Sequence, residues 1–166
     1  MDKENTLYID LKDGRVVIQL RPDLAPKHVA QIKKLAREGK YDGVVFHRVI
    51  DGFMAQTGDP DGTGMGGMGA HLPAEFSKEP HSRGAVSMAR TSDPNSATAQ
   101  FFINVADNAF LDHSAPTGSG WGYCVFAQVV EGMEVVEAIK AVKTGTKGFQ
   151  QDVPVADVLI ERAEVI

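Results

Sequence analysis

The stretch Val44-Val45-Phe46-His47-Arg48-Val49-Ile50-Asp51-Gly52-Phe53-Met54-Ala55-Gln56, running on into Thr57-Gly58-Asp59-Pro60, carries most of what can be said about the fold. Val44 to Phe46 and Phe53 to Gln56 are short and apolar, and Gly43, Asp51-Gly52 and Gly58-Asp59-Pro60 bound them with turn-forming residues. Short strands joined by turns are predicted. Carried through Ile50, the alternation sets Phe46, Arg48 and Ile50 on one face, with a guanidinium beside large apolar groups. Arg48 then reads either as half of a structural ion pair or as a donor to something bound, and Phe53, Met54, Phe102 and Leu111 read either as core or as a pocket.

Outward from this stretch the same pattern recurs. Leu7, Ile9 and Leu11 alternate with polar residues, Val16-Val17-Ile18 precedes Leu20, and Asp13-Gly14 between them suits a tight turn whose central positions need positive φ. Pro26 fits a first helical position, and Val29, Ile32 and Leu35-Ala36 recur at helical spacing, which predicts an amphipathic helix ending near Gly39. Ala85 to Ala89, Phe101 to Val105 and Val125 to Val130 read as further strands. Val135, Val136, Ile139 and Val142 predict a second helix that Gly145 would cap, and Val155 to Val165 a final strand. Gly58 to Pro73 and His113 to Gly122 read as surface loops. Many short strands with a helix after the first hairpin and another before the last strand fit a largely antiparallel barrel with helices closing its ends.

Composition narrows the function. The chain has 166 residues, 43% hydrophobic and 23% charged, the range of one domain spanning 1–166 with a single core. Seventeen basic against 22 acidic side chains leave a net charge of −5, which works against holding a nucleic acid through its phosphates. No apolar run approaches the roughly 20 residues of a membrane span. The polar opening Met1 to Thr6 lacks the pattern of an export signal, and one cysteine, Cys124, cannot form an internal disulfide, so a cytoplasmic protein is expected.

Several familiar signatures fail on context. Gly62-Thr63-Gly64-Met65-Gly66-Gly67 matches G-x-G-x-x-G, but Pro60 precedes it and more glycine and Pro73 follow, where a dinucleotide site needs a strand before and a helix after. His28, His47, His71, His81 and His113 show no i, i+4 pair of the helical zinc type, so no metal is expected. His47, beside Phe46 in an apolar stretch, reads as a packed imidazole bonded to backbone. No serine occupies a G-x-S-x-G elbow, and Cys124, between Tyr123 and Val125, reads as an inert core thiol.

The order and wording of the central segments resemble the cyclophilin family of peptidyl-prolyl cis-trans isomerases. Phe46-His47-Arg48-Val49-Ile50 with Gly52-Phe53-Met54-Ala55-Gln56-Thr57-Gly58-Asp59 is similar to the family's central signature. Ser87-Met88-Ala89 through Gln100-Phe101-Phe102-Ile103 resembles its second, and Val125-Phe126-Ala127-Gln128-Val129 before Glu131-Gly132-Met133 a third. The resemblance implies a mainly β fold, a closed eight-stranded antiparallel β-barrel capped by two α-helices. It implies a prolyl isomerase, with Arg48 as the catalytic arginine, Gln56 its polar partner, and Phe53, Met54, Phe102 and Leu111 as the proline pocket. Gln100 would help hold the peptide, the backbone at Ala89 and Arg90 would bond the residue before proline, and Thr91 would edge that groove. Phe110 stands where drug-sensitive members carry tryptophan, which implies weak cyclosporin binding, and Tyr123 replaces a family histidine at the pocket edge. Trp121 reads as packing. The partners implied are proline-containing peptides and unfolded or folding proteins, met by a monomer with no cofactor. A proline-peptide receptor without turnover stays open beside the enzyme.

Overall fold

The computed structural model describes residues 2–148 and 150–165. Strands β1 (Thr6–Leu11) and β2 (Gly14–Leu20) form the expected hairpin, but the turn sits one residue earlier than read. Leu11 already pairs with Gly14, so Lys12 and Asp13 are its central residues and Gly14, at φ +140°, opens β2. Helix α1 (Pro26–Arg37) follows, with Pro26 in its first turn as predicted. Then come β3 (Arg48–Ile50), β4 (Met54–Thr57), β5 (Ala85–Met88), β6 (Phe101–Asn104), β7 (Val125–Glu131) and helix α2 (Met133–Lys140). A separate two-stranded ribbon, β8 (Thr144–Lys147) with β9 (Gln150–Pro154), precedes β10 (Arg162–Val165).

Three sequence expectations shift. The second helix starts two residues before Val135 and stops at Lys140, so Gly145 caps nothing and lies inside β8. The final strand shortens to four residues, and the ribbon takes up chain that showed no strand alternation. Val44 to Phe46 is not a strand either; only Val45 makes a bridge, to Leu159.

Eight strands form one antiparallel sheet in the order β10-β1-β2-β7-β5-β6-β4-β3. The closed barrel is corrected by this order: β10 and β3 share no ladder, so the sheet is an open half-barrel. Its seam is held by the Val45–Leu159 bridge with Phe46 N–H to Val158 O (2.8 Å) and Ile160 N–H to Val44 O (2.9 Å). The physical reason lies at Phe46 and His47, both buried, which break the period of two and stop a ladder from propagating into the three-residue β3. Phe46 therefore joins the main core, while Arg48, exposed, and Ile50 stay together on the opposite face, so of the shared face read from alternation only the Arg48 and Ile50 part forms.

The main core holds Leu7, Ile9, Ile18, Phe101, Phe126 and Val136, with α1 packed against β10 and α2 against β2, β3 and β4. β5 and β6 are buried at every position. Strands covered on both faces read as unbroken apolar runs, which is why their sequence showed no inward and outward alternation.

Candidate active site

In the β3–β4 hairpin Arg48 pairs with Gln56. β6 then sets Phe102 opposite Gln56, and β5 sets Ser87 opposite Phe102. Residues opposite one another in antiparallel strands share a face, so Arg48, Gln56, Phe102 and Ser87 form a row across four strands. Their neighbours Val49, Ala55, Ile103 and Val86 point the other way, into the main core. The row's face carries a second, smaller apolar cluster of Met54, Phe102 and Leu111, with Ile50, Phe53, Ala89 and Tyr123 packed against it.

All of these except Ile50 join Arg48, Gln56 and Arg90 around a cavity of about 120 Å³. A cavity of about 150 Å³ takes a benzene ring, so this hollow suits one small ring. Phe102 and Tyr123 meet edge to face at 5.6 Å, and the Tyr123 N–H donates to Leu111 O at 3.0 Å, which fixes the inner wall. Phe110, carried over as a substrate-binding residue, lies outside this lining: it is 73% exposed, and its ring meets that of Phe53, which does line the hollow, at 5.6 Å.

Two arginines reach the cavity, and their surroundings separate their roles. Arg90 is engaged: its guanidinium donates to Gly122 O and to Thr91 O (2.8 Å) and lies 4.8 Å over the Tyr123 ring. Arg48 has no hydrogen bond or ion pair among the described residues, so the ion-pair reading falls away; it lines this hollow and also a neighbouring cavity beside His47, Thr63 and Gly64. Gln56 is oriented by a chain of amides. Its Nε2 donates to Gln100 Oε1 (3.0 Å), and Gln100 Nε2 donates to Gly64 O (3.1 Å) and Gly66 O (2.7 Å).

A polar groove of about 420 Å³ adjoins the hollow, sharing Gln56, Ala89 and Arg90 and adding Thr91 and Gln100. The Ala89 N–H already donates to Gln100 O (2.9 Å), so bonding of a peptide along this stretch falls to its other backbone groups.

The glycine-rich loop has a local purpose. Asp59 is fully buried, and its carboxylate accepts from the N–H groups of Asp61, Thr63, Gly64 and Gly66 at 2.6–3.1 Å. Burial alone would raise this carboxyl, yet the four donors outweigh it and hold the group below the ordinary carboxylate value. The loop's anion is thus its own aspartate, which explains a phosphate-loop pattern with no helix behind it. His47 departs from expectation: it is buried, but neither ring nitrogen has a hydrogen-bond partner among the described residues, and burial lowers its proton affinity. Gly64 covers its edge, where an added Cβ would lie 3.6 Å from the ring. Trp121 packs against Phe76 at 5.3 Å as read, and the buried Cys124 thiol is pushed up to about 12 by desolvation.

Sequence reasoning missed the supports beneath the hollow. Asn108 donates to Phe53 O (2.9 Å), and His81 bridges Asp112 and Ser87. Nothing in the spacing of these residues signals the contacts.

Comparison with known proteins agrees with this geometry. Residues 6–165 match the family described as cyclophilin type peptidyl-prolyl cis-trans isomerase. A probable peptidyl-prolyl cis-trans isomerase of Brucella suis is 54% identical over 151 residues, 84% of this chain and 73% of that protein. Peptidyl-prolyl cis-trans isomerase B of Escherichia coli is 47% identical, covering 92% of this chain and 94% of its own. A Cryptosporidium parvum cyclophilin type isomerase, crystallised in the presence of the dipeptide Ala-Pro, superposes with a TM-score of 0.84 at 26% identity, over 97% and 98% of the two chains. With an uncommitted arginine over a ring-sized apolar hollow and this match along nearly its full length, the chain belongs to the cyclophilin-type peptidyl-prolyl cis-trans isomerases.

Proposed function

We propose that this isomerase seats the proline ring of an exposed X-Pro bond in the Phe53, Met54, Phe102 and Leu111 hollow and rotates the bond under Arg48. An amide resists rotation because its nitrogen donates a lone pair into the carbonyl, a barrier of about 18–20 kcal/mol. In the twisted state the nitrogen regains that pair and can accept a hydrogen bond. Arg48 has donors engaged with nothing else among the described residues, and it borders apolar walls that a seated proline ring would close off from water, which would strengthen the bond. No covalent bond breaks, so neither nucleophile nor cofactor is required.

The observation that carries this reading is the contrast between the two arginines at the same hollow, one engaged and one without a partner among the described residues. Gln56 and Gln100 hold the peptide beside Arg48, and the Ala89–Arg90 backbone, with Thr91 at its edge, takes the residue before proline. Substrates are proline-containing peptides and unfolded or folding chains. The isomerase acts as a monomer, and a free, buried Cys124 fits a reducing cytosol. Phe110 stands where the family's drug-sensitive members carry tryptophan, the basis for expecting weak cyclosporin binding, and its ring lacks the indole N–H. Exchange NMR on an Ala-Pro peptide tests the reading, because it separates binding from turnover. Accelerated exchange in the wild type supports it; binding without acceleration assigns the cleft to a receptor.

A further inference from the structure

His81, Asp112 and Ser87 stand in the order of a hydrolytic triad. Asp112 Oδ1 accepts from the His81 backbone N–H (2.7 Å) and meets His81 Nδ1 at 2.8 Å, while His81 Nε2 lies 3.0 Å from Ser87 Oγ. Ser87 is fully buried, so no substrate carbonyl can reach its hydroxyl. The relay needs another purpose, and its neighbours supply one.

Each member touches or adjoins the inner wall of the proline hollow. Asp112 follows Leu111, and Ser87 pairs with Phe102 across β5 and β6. The Ser87 hydroxyl lies 2.9 Å from Cys124 O, next to Tyr123, and the His81 ring stacks on Phe102 at 6.3 Å and 14°. The Phe102 row continues through Gln56 to Arg48.

The proton positions follow from donor counting. A nitrogen facing a carboxylate carries a proton, so Nδ1–H donates to Asp112. A hydroxyl has one hydrogen. The Ser87 hydroxyl faces two acceptors, Cys124 O at 2.9 Å and a neutral Nε2 at 3.0 Å; Cys124 O already accepts from the Met88 N–H (3.0 Å), so with a neutral imidazole the hydrogen turns from Cys124 O to Nε2. Every buried group is then paired. Asp112, on the turn after Leu111, is the one charged group acting on the ring; Ser87 from β5 and Phe102 from β6 are neutral. Burial opposes a second proton on His81, with Asp112 acting the other way.

We propose that His81 is a positioning residue for isomerisation: as the neutral Nδ1–H tautomer between Asp112 and Ser87, it sets the Phe102, Leu111 and Tyr123 wall that aligns the proline ring with Arg48. The inference rests on the isomerase reading and is separable from it. Side-chain ¹⁵N NMR at pH 7.5 should show a protonated Nδ1 and an accepting Nε2 on His81; an imidazolium or the opposite tautomer overturns the proposal without any mutation. Exchange NMR then compares Ser87→Ala and His81→Gln with Ile9→Val, a core trim in β1 far from the cleft. Misplacement by about 1 Å can cost as much as a hundredfold, and a smaller wall shift should lower kcat about tenfold at unchanged KM in the two relay variants only. Loss of activity that tracks loss of Tm across all three variants, or a raised KM at unchanged kcat, refutes it. Wild-type protein without turnover would instead defeat the isomerase reading.

Discussion

Replacing Arg48 by alanine should separate catalysis from stability more sharply than any other substitution in this chain. The side chain is exposed and has neither hydrogen bond nor ion pair among the described residues, so its removal leaves no buried group unpaired. Surface changes of that kind stay within about 0.5 kcal/mol, and Tm should move by no more than a few degrees. The twisted amide, by contrast, loses the one charged donor at the hollow that is unengaged among the described residues. Removal of such a donor costs about 3–4 kcal/mol, which converts to roughly a hundredfold to a thousandfold in kcat/KM. Because the contact exists only once the nitrogen has pyramidalised, the loss should fall on kcat with KM nearly constant. Exchange NMR on an Ala-Pro peptide, with thermal unfolding of the same samples, measures both. Arg48→Ala within threefold of wild type, or a matching fall in Tm, would refute the reasoning. Arg48→Lys should recover only part of the loss, since an ammonium keeps the charge but not the planar fork.

Arg90→Ala should behave in the opposite sense: its engaged guanidinium braces Gly122 O and the Tyr123 ring, so KM should rise and Tm fall while kcat changes least, as read from the same two assays. Asp59→Ala strands four loop N–H groups, and Gly66→Ala would bring a Cβ to 2.1 Å from Asp59 Oδ1; both should lower Tm and weaken peptide binding in the groove that Gly64 and Gly66 line. Acid should destabilise the protein in two stages, followed by urea midpoints against pH. His28, His47 and His81 all have proton affinities lowered by burial, so the unfolded chain binds more protons and stability falls as pH drops through the ordinary histidine value of 6.5. Asp59 and Glu75 are held below their ordinary values of 3.8 and 4.5, so their contribution is present above those values and is lost as pH falls through the lowered folded ones. His47→Gln should flatten the first stage, and an unchanged slope would exclude His47 as a source. Phe110→Trp should tighten cyclosporin by about twofold to tenfold, the worth of one added hydrogen bond, in a titration followed by fluorescence.

Much of the cleft was legible before any geometry. Arg48, Gln56, Phe53, Met54, Phe102 and Leu111 were named from segment wording, and nine of the residues carried over line one cavity. The hairpin of β1 and β2 and the start of α1 were also readable, because alternation and Pro26 are local signals, although the turn itself lies one residue earlier than the Asp-Gly pair, at Lys12-Asp13. The errors cluster where distant chain intervenes. Phe46 and His47 leave the period of two because the chain from Val158 to Ile160 bonds across them. Helix α1 has no side-chain cap from its own flank; Glu75, 48 positions beyond Lys27, accepts from the Lys27 and His28 N–H groups at 3.1 and 2.8 Å. No local pattern announces such a partner.

Residue types and their order determined which groups exist: one guanidinium within an apolar stretch, a set of ring-sized hydrophobes, and no serine in a G-x-S-x-G elbow. Folding decided which of those groups are free. Hydrogen-bond donors find their acceptors across tens of residues, so only the assembled sheet could leave Arg48 unengaged, tie Arg90 to Gly122, fill the glycine loop with Asp59 and slide His81 under Phe102. A backbone period of two says which way a side chain points, and nothing about which strand arrives beside it.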